Sequence, residues 1–143
     1  MKCYAIALLI FASIISLTLG ASLPRSEDDW VKIRRTCYNL LRASPEVRER
    51  VDRKQYDDEP ETHCLIRCGG IISGMYDDET GTSMEAAAAL AKGKDGFEEY
   101  RAAFETCAAG VTPEEYGDDY CKKSFRLFTC SWAAWRKHIK KIE

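Results

Sequence analysis

Cys64-Leu65-Ile66-Arg67-Cys68 sets two cysteines four residues apart within a helical apolar pattern. Side chains four apart stack on one helix face and point the same way, so these two sulfurs should reach different partners rather than each other. Cys121 and Cys130 are subject to the same geometry. At about 100° per residue they project from opposite sides of one helix, roughly 13 Å apart along its axis, whereas a disulfide needs Cα atoms within about 7 Å. Removing these two bonds leaves ten of the fifteen pairings open to six cysteines. The bridges must therefore join helices to one another.

Six is the relevant count because the seventh cysteine, Cys3, lies in a segment expected to be removed. Lys2 precedes an apolar run from Cys3 to Leu19 that ends at Gly20 and Ala21, the pattern of a signal peptide over residues 1–20. The run is short for a bilayer span of about 20 residues, so no membrane insertion is expected after cleavage. One domain over residues 21–143 should remain, secreted and oxidised, with Cys37, Cys64, Cys68, Cys107, Cys121 and Cys130 all paired. Without Lys2 the chain carries 20 basic against 23 acidic residues, a net charge of −3 with histidine neutral, which argues against nucleic acid as a partner.

The rest of the chain reads as helices with punctuated ends. Ser26 before Glu27-Asp28-Asp29 is a helix cap, and Trp30, Ile33, Cys37, Leu40 and Leu41 recur on one face to about Ala43. Ser44-Pro45 starts a short charged helix through Arg53, and an acidic loop from Gln55 to Glu61 follows. Leu65, Cys68, Ile71, Ile72 and Met75 then give the stripe of a third helix, in which Gly69 and Gly70 suggest close packing. Tyr76 to Gly81 is a turn lacking the oxygen spacing of a calcium loop. Ser83 caps an Ala-rich helix from Met84 to Lys92, and Phe97, Tyr100, Phe104 and Cys107 mark a fifth. Thr112-Pro113-Glu114-Glu115 has the form of a capping box.

The final helix carries Cys121, Phe125, Phe128, Trp132, Trp135, Ile139 and Ile142 at spacings of three and four. So much aromatic surface, about 150–250 Å² per ring system, must be embedded among the other helices. Arg136, Lys137, Lys140 and Lys141 read as cations complementing the helix C-terminus. No nucleophile elbow, phosphate loop or free thiol is present, and neither His63 nor His138 has a catalytic setting, so the chain is not expected to be an enzyme. A zinc site at His63, Cys64 and Cys68 is disfavoured because those sulfurs should be in disulfides. No metal or cofactor is expected.

The six cysteines are separated by 26, 3, 38, 13 and 8 residues. This framework, set on helices behind a signal peptide, resembles that of the insect odorant-binding superfamily of pheromone and general odorant-binding proteins, across essentially the whole mature chain. The three-residue and eight-residue gaps are the specific parts. The resemblance implies an all-α bundle of about six helices around an apolar cavity, stapled by Cys37–Cys68, Cys64–Cys121 and Cys107–Cys130. The gap from Cys107 to Cys121 is slightly long for that superfamily, so the loop from Thr112 to Asp119 should be shaped differently. Pro60-Glu61-Thr62-His63-Cys64 leading to Gly74-Met75-Tyr76-Asp77 is similar to the D7 salivary proteins of blood-feeding flies.

The function so implied is a secreted carrier of a small hydrophobic or amphipathic ligand of the odorant or pheromone type. The alternative is a D7-like salivary protein sequestering host mediators such as biogenic amines or eicosanoids. Beyond the ligand, the partner would be a chemosensory receptor or a host mediator, with the protein acting as a monomer or weak dimer. Ile72, Met75, Tyr100, Phe104, Phe125, Phe128, Trp132 and Trp135 are the candidate walls of a cavity between the third, fifth and sixth predicted helices. Each of them could equally be plain core, because an apolar seam does not distinguish wall from filling.

Overall fold

The computed structural model describes residues 26–141; the predicted leader over residues 1–20 and Ile142 of the predicted seam lie outside them. Seven helices are described: α1 Glu27–Leu40, α2 Pro45–Asp52, α3 Pro60–Ser73, α4 Met84–Ala91, α5 Phe97–Ala108, α6 Pro113–Tyr116 and α7 Tyr120–His138. Two antiparallel pairs of two-residue strands accompany them. β1 (Tyr76–Asp77) pairs with β2 (Gly81–Thr82), and β3 (Lys94–Asp95) pairs with β4 (Lys140–Lys141). The chain is thus all-α in class, one four-residue helix richer than the sequence suggested.

The helix starts follow their sequence signals. The Ser26 hydroxyl accepts from the Asp29 amide at 3.2 Å while the Asp29 carboxylate accepts from the Ser26 amide at 3.1 Å, a complete capping box. Ser83 and Asp119 cap α4 and α7 in the same manner, each accepting from the amide three residues on. Thr112 departs from expectation: its side chain bonds no helix amide and instead pairs with the Glu114 carboxyl, which is thereby held below its ordinary value. Two helix ends also come early. α1 stops at Leu40 because Arg42 turns left-handed at φ 53°, leaving Leu40 and Leu41 exposed. α7 stops at His138, after which the chain is extended and Lys140 and Lys141 join a strand rather than a helix end. Only Arg136, Lys137 and His138 lie in the last helical turn.

α3 packs against α7 and α1, and α5 against α7, so α7 is the spine of the molecule. Disulfides fix those contacts. Cys64–Cys121 joins α3 to α7 with Cα atoms 4.6 Å apart, Cys37–Cys68 joins α1 to α3 at 5.8 Å, and Cys107–Cys130 joins α5 to α7 at 5.6 Å. This pairing is the one the resemblance implies. The apolar interior divides into two clusters. One holds Cys37, Tyr38, Ala43, Val47, Val51 and Leu65; the other holds Ala87, Tyr100, Phe104, Cys130 and Ala134.

The rotation of α3 differs from the apolar stripe read in its sequence. Its buried residues are Thr62, His63, Leu65 and Ser73, while Ile71 and Ile72 face solvent. The disulfides explain this, since Cys64 must meet α7 and Cys68 must meet α1, and that fixes the helix about its axis regardless of where its isoleucines fall.

Candidate ligand cavity

Between the two clusters lies a cavity of about 360 Å³. It falls within the range of about 300–1,000 Å³ usual for small-molecule sites. α7 supplies one wall through Ser124, Phe128, Ser131, Trp132 and Trp135, a stripe at helical spacing on the inward face. α3 supplies the opposite wall with Leu65, Ile66, Gly69, Gly70 and Ser73. Gly70 is required there: a Cβ would lie 2.8 Å from the Tyr76 Cβ, so a side chain would push β1 away from the helix. α1 closes a third side with Trp30, Ile33, Arg34, Cys37 and Tyr38, and Met75, Tyr76, Thr82 and Leu90 complete the floor.

Aromatic packing holds the α7 wall in shape. Phe128 and Trp132 stack at 6.1 Å and 13°, and Tyr56, from the segment between α2 and α3, meets both edge-on at 4.8 and 5.8 Å. Trp135 lies edge-on to Tyr100 at 5.4 Å, and the Lys94 ammonium sits 5.1 Å from the Trp135 ring centre while donating to the Leu90 carbonyl. These pairs fix the planes a ligand would meet.

Polar groups gather at the α1 side. Arg34 bridges Glu27 at 3.1 Å and Asp52 at 3.2 Å, and the Tyr38 hydroxyl donates to Asp52 at 2.9 Å. Burial disfavours the Arg34 charge, yet the hydrogen bond to Glu27 and the two carboxylates outweigh it and raise its pKa. Burial, reinforced by Asp52, pushes the Tyr38 phenol well up, and burial also raises Tyr56. All three groups therefore hold their neutral-pH protonation state through the physiological range.

Of the eight residues predicted to form the wall, Met75, Phe128, Trp132 and Trp135 line the cavity. Tyr100 and Phe104 are packed into the second cluster, at 0 and 7 % exposure, and α5 contributes nothing to the lining. Phe125 is buried on a different face of α7, stacked on His63 at 4.3 Å, and Ile72 is exposed. Sequence reasoning missed the rest of the lining, above all the α1 face, Tyr56, the small residues Gly69, Gly70 and Ser73 of α3, and Ser124 and Ser131 of α7. The periodic Trp30, Ile33 and Cys37 were legible as a buried face, and a Cys37–Cys68 bridge would have placed that face against α3.

His63 is buried, its Nε2 is 2.7 Å from Asp58 Oδ1, and it lies outside the lining. Among the described residues no cluster of His, Cys, Asp and Glu could hold a metal ion. What the arrangement can do is enclose a small body between aromatic planes.

Comparison with known proteins is consistent with that geometry. Residues 21–134 match the PBP/GOBP family. Among solved structures, odorant-binding protein 22a of Anopheles gambiae is similar at 25 % identity, with a TM-score of 0.58, covering 74 % of this chain and 99 % of that one. The same mosquito protein with the odorant cyclohexanone bound is similar at 25 % identity and TM-score 0.58, covering 73 % of this chain and 90 % of that one. A further structure of it, described as open for ligand binding, gives the same identity, score and coverage. No curated protein matches the sequence.

Proposed function

The chain belongs to the PBP/GOBP family, and from that premise we propose that it is a secreted carrier binding one small hydrophobic or amphipathic molecule in the cavity between α1, α3 and α7. The observation that carries this reading is the cavity itself: about 360 Å³, walled by Met75, Phe128, Trp132 and Trp135. The mosquito relative that holds cyclohexanone supports a small, largely apolar ligand of the odorant type. Three disulfides support an oxidising, extracellular setting. No helix among the described residues is long and apolar enough to cross a membrane. One chain supplies the whole described lining, so a monomer suffices.

The charges around the cavity favour neutral or anionic ligands. Arg34, Lys54 and Lys94 line it against a single carboxylate, Glu27, which is already bridged to Arg34. A protonated amine would find no free carboxylate. Within the D7-like alternative, sequestration of an anionic lipid mediator such as an eicosanoid is therefore favoured over sequestration of biogenic amines.

Displacement of N-phenyl-1-naphthylamine from refolded protein tests the reading. Neutral odorants and fatty acids should displace the probe and amines should not. Absence of probe binding at micromolar protein would overturn the carrier.

A further inference from the structure

Three serines line the cavity, and two of them have their hydrogen bonds made within the protein. The Ser73 hydroxyl donates to the Gly70 carbonyl at 3.1 Å, and the Ser131 hydroxyl shares a 2.9 Å bond with the Tyr100 hydroxyl. Ser124 is the exception. It is 2 % exposed, lines the cavity, and makes no side-chain hydrogen bond to any described residue. A helical serine has an easy local alternative, donation to a carbonyl one turn back. Thr36 and Thr106 take it, donating to Lys32 and Ala102 at 3.0 and 2.8 Å. Of the other hydroxyls on the lining without a hydrogen-bond partner, those of Tyr56 and Thr82 belong to half-buried residues and can be solvated, and that of Tyr76 is buried beside the Asp78 carboxylate. A hydroxyl as buried as that of Ser124 has little such relief, and a buried polar group without a partner is costly.

We infer that Ser124 is the polar subsite of the cavity, donating a hydrogen bond to an oxygen acceptor on an otherwise apolar ligand, most simply the carbonyl of a ketone, aldehyde or ester. This rests on the carrier reading and specifies which chemistry the carrier prefers. The position suits an elongated ligand. Ser124 begins the lining stripe of α7 and Trp135 ends it, eleven residues or about 16 Å further along the axis. An oxygen held at Ser124 lets the hydrocarbon body run past Phe128 and Trp132 toward Trp135. The preference is for oxygenated compounds over pure hydrocarbons of the same length, because a hydrocarbon leaves the Ser124 hydroxyl without a partner inside the occupied cavity.

The test compares 2-nonanone with 1-nonene, similar in length and differing in the carbonyl, as competitors of the naphthylamine probe on wild type and Ser124→Ala. Wild type should prefer the ketone, and S124A should lose ketone affinity by roughly 3- to 10-fold, the size of one neutral hydrogen bond, with alkene affinity unchanged. Retained alkene binding also shows that the variant is folded. Independently of any variant, the infrared carbonyl stretch of carbonyl-labelled 2-nonanone should move to lower frequency on binding wild type, as a hydrogen-bonded carbonyl does. A bound ketone with an unshifted carbonyl, or equal affinity changes for both compounds in S124A, would overturn the subsite while leaving the carrier intact. Failure of both compounds to bind wild type would overturn the two together.

Discussion

Trp132 and Tyr100 are aromatic residues on adjoining helices that should answer truncation in opposite ways. Trp132 is half-buried on the cavity wall, so Trp132→Ala enlarges an existing space; probe affinity should fall sharply while stability drops by under about 2 kcal/mol. Tyr100 is fully buried in the second cluster and bonded to Ser131, so Tyr100→Ala should cost about 3–5 kcal/mol in urea denaturation. Equal losses of stability would contradict the division into wall and core. A second residue-level expectation concerns acid. The hydrogen bonds from Arg67, with its charge, hold the Asp78 carboxyl below its ordinary value against the opposing effect of burial. A depressed carboxyl contributes stability above the unfolded pKa of about 4 and loses it as pH falls through the folded value. Asp78→Asn should therefore be less stable than wild type at neutral pH, and the gap should close below about pH 4. A gap independent of pH would mean that the ion pair is not its source.

At the scale of elements, the join between β3 and β4 depends on one glycine. Gly96 has φ 88°, and a Cβ there would meet the His138 carbonyl oxygen at 2.0 Å. Gly96→Ala should release β4 from β3, raising amide hydrogen exchange around Lys94–Asp95 and Lys140 while α7 up to Trp135 stays protected. Unchanged protection would show that the join tolerates a side chain. This join was not legible in the sequence, because pairing of two strands so short arises from where α5 begins and α7 ends, not from any β-forming run. The rotation of α3 was hidden for a related reason. Ile71 and Ile72 are the more apolar side chains, yet the buried ones include Thr62, His63 and Ser73, since covalent attachments outrank hydrophobic preference in orienting that helix. Caps written in single residues, such as Ser26, Ser44 and Ser83, were legible because each acts within three positions of itself. So was the apolar seam of α7, but not which of its aromatics fill a cluster and which face a void. That depends on how neighbouring helices are spaced, which one helix does not encode.

For the whole molecule, the bridges and the ligand supply separable stability. Cys64–Cys121 closes the longest loop, 57 residues against 31 and 23 for the others. Replacing both of its cysteines by serine should cost the most of the three, about 4 kcal/mol by the loop-closure estimate, as read from denaturation midpoints. Ligand at a hundred times its dissociation constant should add about 2.7 kcal/mol, a rise on the order of 10 °C in calorimetry for a domain of this size. The order of the six cysteines carries one more consequence. The Cys37–Cys68 loop overlaps the Cys64–Cys121 loop at positions 64–68, and that loop overlaps Cys107–Cys130 at positions 107–121. Every peptide bond between Cys37 and Cys130 is therefore spanned by at least one bridge. A protease that nicks an exposed turn, such as the one between β1 and β2, would leave both fragments tied together and the cavity walls fastened. On a non-reducing gel the cut protein should run as one species, and it should fall into pieces only when a reductant is added.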